Sequence, residues 1–314
     1  MGNHGADVIS QNPWLNAYCV QQCPFGGVIP AAAPDARFTQ VIALTNGGWS
    51  NYNGLTAQFQ YRFGNSFQGW INYTWSHALD TCSNNCILPF TGNTVGSLNC
   101  QVTPYLPGRS YGNSDYDVRH NFSARYVYNS ATTWRGPALR HILGGWTLAG
   151  TVYFHSAYPW SAINSGISSL SLGNITNYLY VSPLAEFLGG PNNAGSCSNP
   201  KVNCVTAGQF ATASEQTGFG NLARNSFRGA SYFDTDLHVM KNLKLTEHVT
   251  LGLGANFFNL LNHPNFDLPV NDLALGGTFG QIQKTVVPAT TPYGTNSGVT
   301  LSGRIVQLNG RITF

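Results

Sequence analysis

Seven stretches of this chain alternate apolar and polar side chains with a period of two, and the segments between them run short, long, short, long, short, long. The clearest stretch is the last, Leu301–Phe314. Val306, Leu308, Gly310, Ile312 and Phe314 share one face, while Gln307, Asn309, Arg311 and Thr313 share the other. Successive side chains of a strand point to opposite sides, so this pattern suits a strand with an apolar medium on one side and water on the other. Tyr52–Phe63, Gln68–Leu79, Val118–Tyr128, Trp146–Ser156, Tyr232–Leu245 and Val249–Leu261 repeat it, and Phe38–Thr45 shows it weakly enough to count as a possible eighth. The turn Gly64–Phe67 joins the first clear pair as a hairpin. The long segments run from Asp80 to about Asp117, from about Ala157 to Ser231, and from His263 to Thr300.

An antiparallel meander with tight turns at one end and long loops at the other is the pattern of a membrane β-barrel. Strands of about ten to fourteen residues suffice for a tilted crossing of the hydrocarbon layer. Aromatic residues gather near strand ends (Tyr52, Phe63, Trp75, Tyr128, Trp146, Phe314), where interface girdles belong. A soluble sandwich or propeller is the alternative, but it favours strands of roughly five or six residues. The expectation is therefore an all-β fold, an antiparallel transmembrane β-barrel meander of 7–8 long strands, with periplasmic turns and extracellular loops in the bacterial outer membrane. Residues 1–37 read as an irregular extracellular loop segment and 38–314 as the barrel portion.

Composition agrees. Only 9% of the 314 residues are charged and 42% are hydrophobic, against roughly 25% charged in ordinary soluble proteins. Neutral polar residues and 35 glycines make up the difference. The net charge of +3, with no Lys/Arg cluster, argues against a nucleic-acid partner. No apolar window is long enough for a membrane helix. The start, Met1 then GNHGADVISQNPW, lacks the basic and apolar regions of a signal peptide. For an exported chain this implies a fragment of a larger barrel, with closure by eight strands as the alternative.

Seven cysteines lie in Gly-, Asn-, Ser- and Pro-rich stretches. Cys19 with Cys23, Cys82 with Cys86, and Cys197 with Cys204 are close enough in sequence to form staples in exposed loops, as an oxidising compartment allows. Cys100 is then the odd one. A zinc site is the competing use, but no His stands at ligand spacing beside them.

Several stretches, in order, carry a family resemblance: SNYNGL (Ser50–Leu55), YTWSHALD (Tyr73–Asp80), DVRHNF (Asp117–Phe122), LGGWTLAGTVYFHSAYPW (Leu143–Trp160), FGNLARNSFRG (Phe219–Gly229), YFDTDLHVMKNLKL (Tyr232–Leu245) and NFFNLLNHPNF (Asn256–Phe266). From about residue 38 onward the chain resembles the C-terminal barrel portion of TonB-dependent outer-membrane receptors with a carboxypeptidase-regulatory-like N-terminal domain. The resemblance implies a barrel with more strands than are found here, a plug domain and a TonB-contacting box upstream, and energised uptake of a ligand. It implies that the terminal strand, with Val306, Leu308, Ile312 and Phe314, is read by the barrel-assembly machinery. The implied partners are membrane lipid, that machinery, TonB with the plug, and an unidentified ligand.

No nucleophile elbow, phosphate loop, paired carboxylate arrangement or His-based metal site is present, so the expectation is a non-enzyme without cofactor or metal. Arg62, Arg125, Asp234, Asp236, His238 and Arg311 fall on polar strand faces and read as lumen-facing wall residues. Asp117, Arg119 and His120 read as residues that order a loop–strand junction. Trp160, Tyr178, Tyr180 and Tyr293 are the loop aromatics that could touch a ligand, with loop packing as the alternative. A small autonomous barrel, acting as adhesin or passive pore, is the competing function.

Overall fold

The computed structural model describes residues 2–5, 9–11, 43–45, 49–81, 83, 108, 111–131, 136–164, 184–189, 205–212, 220–286 and 303–314. Its strands are β1 (Gly2–Gly5), β2 (Ile9–Gln11), β3 (Ala43–Thr45), β4 (Ser50–Phe63), β5 (Phe67–Asp80), β6 (Gly112–Asn113), β7 (His120–Asn129), β8 (Trp146–His155), β9 (Pro159–Trp160), β10 (Phe227–Arg228), β11 (Tyr232–Lys244), β12 (Thr250–Phe258) and β13 (Ile305–Thr313). The main sheet runs β1-β4-β5-β7-β8-β11-β12-β13 with β6 added to β5. Every pairing in it is antiparallel. The seven clear strands of the sequence reading thus form one meander in chain order.

The weak eighth strand does not join it. Of Phe38–Thr45, the described part Ala43–Thr45 pairs with Ile9–Gln11 in a separate ladder. The Asn–Gly–Gly that follows interrupts its alternation, so its register is not carried into β4. Gly2–Gly5 takes the place beside β4, opposite Ser50–Asn53. Residues 1–37, read as irregular, therefore contain two short strands; Gly–Asn–His–Gly has no apolar alternation to betray one.

Register lines up the two faces across the sheet. Phe59, Ile71, Ala124, Val152 and Thr235 form one outward row, and Phe257 meets Val306 on another. The outward side chains of β4 and β13 are the most open, with Leu55 at 66%, Phe59 at 61% and Leu308 at 82%, while Ala124, Val152 and Thr235 are half-buried. An exposed apolar face this continuous needs an apolar cover. Aromatics band it at both ends. Tyr61, Phe63, Phe67, Tyr126, Tyr128 and Trp146 lie towards the short turns, and Tyr73, Trp75, Phe122, Phe154, Phe233 and Phe257 towards the long loops. The separation from Phe67 to Trp75 is about 26 Å along the strand at ~3.3 Å per residue, near the ~25 Å apolar band of a membrane barrel once tilt is allowed for.

The short connections have local causes. Gly64 takes a left-handed φ of 52° and Ser66 N–H donates to Phe63 O at 3.2 Å, closing β4 onto β5. Between β11 and β12 the Thr246 hydroxyl accepts from Val249 N–H at 3.0 Å. The connection from β7 to β8 contains a helix, α1 (Pro137–Leu143). Among the described residues no helix is long and apolar enough to cross a membrane.

The core lies outside the sheet. Trp160, Ala162, Ala185, Val205, Phe210, Phe227 and Phe279 come from the long segments and pack together at the long-loop end. The pairing of β9 with β10 brings Trp160 opposite Phe227, with ring centroids 4.9 Å apart. The described parts of the long loops thus form a folded cap with its own apolar centre.

Candidate functional site

The polar face of the sheet and the underside of this cap define the site. Along β11, Asp234, Asp236 and His238 occupy successive polar positions, but each has its own surroundings. The Thr151 hydroxyl donates to Asp236 at 3.5 Å, and Asn259 N–H donates to the other oxygen at 3.0 Å. His238 pairs with Asn256 across the strand, and Asn256 donates to Gln307 at 3.3 Å. Asp234 Oδ1 is buried without a hydrogen-bond partner among the described residues. The three do not converge on one point, and among the described residues no group of three or more His, Cys, Asp or Glu could hold a metal ion.

At the long-loop end of this face a ring cluster forms. His155 stacks flat on Tyr232 at 5.1 Å, while Tyr153 and Tyr158 meet it edge-on at 5.7 and 4.9 Å. The His155 ring hydrogen bonds through Nδ1 to Ser156 O at 2.8 Å, so Nδ1 is the protonated nitrogen. Burial, with Tyr153 and Tyr116 nearby, raises the Tyr158 phenol above its ordinary range. Aromatic faces beside the half-buried Asp234 carboxylate suit a ligand that offers both a flat surface and donors.

Above the cluster sits a buried knot of charge. Arg224 is 5% exposed and donates to the Asp80 carboxylate, to Asp80 O at 2.7 Å and, more weakly, to Asp115 at 3.4 Å. The Ser83 hydroxyl donates to Asp80 at 2.5 Å and accepts from Asp115 N–H at 3.0 Å. Asn225, in a left-handed turn at φ 56°, donates to Asp115 at 2.6 Å and to Asn113 O at 2.8 Å. Beside it Asp117, fully buried, is held by Arg228, by Arg119 at 2.9 Å, and by Ala78 N–H at 2.8 Å. Three Asp and three Arg make a neutral network joining the end of β5, the segment before β7 and the segment before β11.

The carboxylates are not equivalent. Asp80 takes the close side of Arg224, leaving Asp115 the far side and one oxygen, Oδ2, with no hydrogen bond among the described residues. Burial outweighs the Asn225 hydrogen bond and pushes the Asp115 carboxyl up from 3.8 to about 6.

The other predicted residues divide. Arg62, Arg125 and Arg311 fall on the polar face by register. Arg62 donates to Gly64 O at 3.3 Å, and Arg125 lies 5.1 Å over the Trp70 ring. Val306, Leu308, Ile312 and Phe314 are exposed on the outward side. Trp160, a loop aromatic that the sequence leaves between ligand contact and loop packing, is 1% exposed in the centre of the cap, because β9 pairs it against β10. Tyr178, Tyr180, Tyr293 and all seven cysteines, among them the staple candidates Cys19, Cys23, Cys82, Cys86, Cys197 and Cys204, lie outside the described residues.

The sequence reading placed Asp117, Arg119 and His120 at a junction but missed Asp80, Asp115, Arg224, Asn225 and Arg228. A signal was available: in a chain this poor in charge, acids at 115 and 117 and arginines at 224 and 228 are complementary pairs inside otherwise neutral loops. A cavity of about 580 Å³ opens at the opposite, short-turn end, beside Trp146, Lys241 and Asn242, away from both the ring cluster and the knot. A family model described as "Outer membrane beta barrel domain" matches residues 1–307. No curated protein and no solved structure matches the chain.

Proposed function

Because the chain belongs to the outer membrane β-barrel domain family and so resides in the bacterial outer membrane, we propose that it forms wall and loops of a TonB-dependent receptor that takes up a ligand against its gradient. The observation that carries this is the knot. It joins the stretches on which the receptor resemblance rests: Asp80 ends YTWSHALD, Asp117 and Arg119 open DVRHNF, and Arg224, Asn225 and Arg228 belong to ARNSFRG. Long loops tied by buried ion pairs over an apolar centre favour a mouth built to hold a ligand over one built only to let solutes through. Such a mouth suits a receptor, which must hold a ligand outside until energy arrives.

In this reading the cap captures the ligand and the ring cluster of Tyr153, His155 and Tyr232 receives it. The neutral polar wall, with Asp234, Asp236 and His238, then passes it inward. The plug and the link to TonB come from sequence preceding the barrel, and Val306, Leu308, Ile312 and Phe314 engage the assembly machinery. The chain itself performs no bond chemistry.

The test is the coding DNA immediately upstream of Met1. An in-frame plug domain with a TonB-contacting box and a signal peptide supports the receptor. A stop codon with no exported start overturns it, and a small autonomous barrel becomes the working alternative.

A further inference from the structure

The outward face of the sheet carries one charge that its surroundings do not explain at first sight. Among the described strands, Lys241 is the one Lys, Arg, Asp or Glu whose register position falls on the apolar side, directly opposite Trp146. Its amine lies 5.0 Å over the Trp146 ring and donates to the carbonyls of His141 at 2.6 Å, Ile142 at 3.3 Å and Gly144. The Trp146 indole N–H donates to Ile142 O at 2.7 Å. Both outward side chains therefore grip the C-terminal end of α1, whose last carbonyls have no partner within the helix and attract a cation.

This grip fixes where α1 lies. A helix whose end is held by two outward-facing side chains sits on the outward side of the sheet, at the short-turn rim. Gly145 makes the fold-back possible: its φ is 72°, and a Cβ there would lie 2.7 Å from Asn242 O. The helix has Leu139, Ile142 and Leu143 at the i, i+3, i+4 spacing of one helical face. All three are exposed, at 50%, 65% and 41%, and its sequence PALRHIL holds no acid. The apolar stripe continues the aromatic band through Trp146 rather than standing alone.

We propose that α1 is an interfacial anchor: it lies along the inner leaflet of the outer membrane, with Leu139, Ile142 and Leu143 among the acyl chains just below the headgroups. Lipid is the occupant because the face is continuous with the lipid-facing wall and because a Trp and a Lys on that face at one depth mark the headgroup level. A short basic amphipathic helix lying in the interface plane behaves in this way. The inference rests on the outer-membrane reading of the sheet and adds a contact that the strands alone do not make.

The experiment places a benzophenone amino acid at Ile142, Phe59 or Gln58 of the full chain, folded into phosphatidylethanolamine–phosphatidylglycerol vesicles with tritiated acyl chains. Illumination is expected to label positions 142 and 59 with lipid and to leave 58, on the polar face, unlabelled. In Lys241→Met, label at 142 is expected to fall at least threefold while label at 59 holds. Label at 59 without label at 142 overturns the anchor and leaves the wall intact. A product of twice the chain mass from 142 also overturns it, in favour of a second copy covering the helix. Loss of label at both 59 and 142 overturns the membrane wall together with the anchor.

Discussion

Replacing Arg224 with Met tests whether the charge knot holds the cap. The guanidinium is the one cation within reach of both Asp80 and Asp115 among the described residues, whose side chains are 11% and 5% exposed. Met keeps much of the volume but leaves two buried carboxylates facing each other without a counter-charge. Breaking a buried pair from one side costs about 3–5 kcal/mol, which at 1.4 kcal/mol per tenfold is roughly two to more than three orders of magnitude in the opening equilibrium. Asp80 closes β5 and the other partners lie in the segments beyond the long strands, so the penalty falls mainly on the loops. The assay is digestion of the folded protein by proteinase K, which needs no basic residue, with the barrel monitored separately by its heat-modifiable mobility. Loop cleavage is expected to accelerate by at least a hundredfold while the barrel band is unchanged. Removing the orphaned charges as well, in Arg224→Met with Asp80→Asn and Asp115→Asn, is expected to recover most of that loss. Cleavage of the single variant at the wild-type rate would refute the argument, as would a triple variant no better than the single one.

Asp115→Asn isolates the titrating carboxyl. Its folded value of about 6 lies above the ordinary 3.8, so the folded state binds the extra proton, and stability falls as pH rises through that window. The penalty is absent below about pH 4 and complete above pH 6, where it amounts to about 3 kcal/mol. Wild-type loops should therefore be cleaved relatively faster at pH 7.5 than at pH 4.5. The wild-type rate divided by the Asp115→Asn rate should be at least tenfold lower at pH 4.5 than at pH 7.5; a constant ratio contradicts the assignment. Trp160→Ala empties the centre of the cap and is expected to cost about 3–5 kcal/mol, read as loop protease sensitivity with an unaltered barrel band. Phe59→Arg, on the outward row, is expected to destabilise insertion by about 2–4 kcal/mol. Gln58→Arg, one residue away on the polar face, should change folding into vesicles by no more than about 0.5 kcal/mol; equal effects would erase the distinction between the faces.

The wall was legible because a strand between lipid and water must alternate, and alternation is visible in one dimension. Phe59 and Gln58, Leu308 and Asn309, sort themselves without any knowledge of partners. The alternation of short and long connections was legible for the same reason, since it needs only strand ends. The cap was not. Its contacts join Asp80 to Arg224 and Trp160 to Phe227 across segments with no period, and a buried ion pair leaves no more trace in sequence than two loop charges. The strand β1 was hidden because backbone pairing with Ser50–Asn53 asks little of its side chains. Helix α1 lay between: Gly136 before it, Pro137 at its first position and Gly144–Gly145 after it are ordinary start and stop signals, yet seven residues are too few for periodicity to speak.

The distribution of charge ties these parts together. A chain with 12 acidic residues places three of them, Asp80, Asp115 and Asp117, in one buried knot at the long-loop ends of its strands. Charge is costly on a lipid face, where Lys241 at the short-turn rim stands alone among the described strands, and the strongest fastening sits at the long-loop ends, clear of the lipid. The knot is neutral as a whole, which lets it be buried; it is unequal within, because one arginine serves Asp80 closely and Asp115 at a distance. A cap held this way is rigid against random opening and still sensitive at one point. Whatever neutralises or withdraws Arg224 exposes two carboxylates at once, so the cap should release as a unit rather than loosen loop by loop.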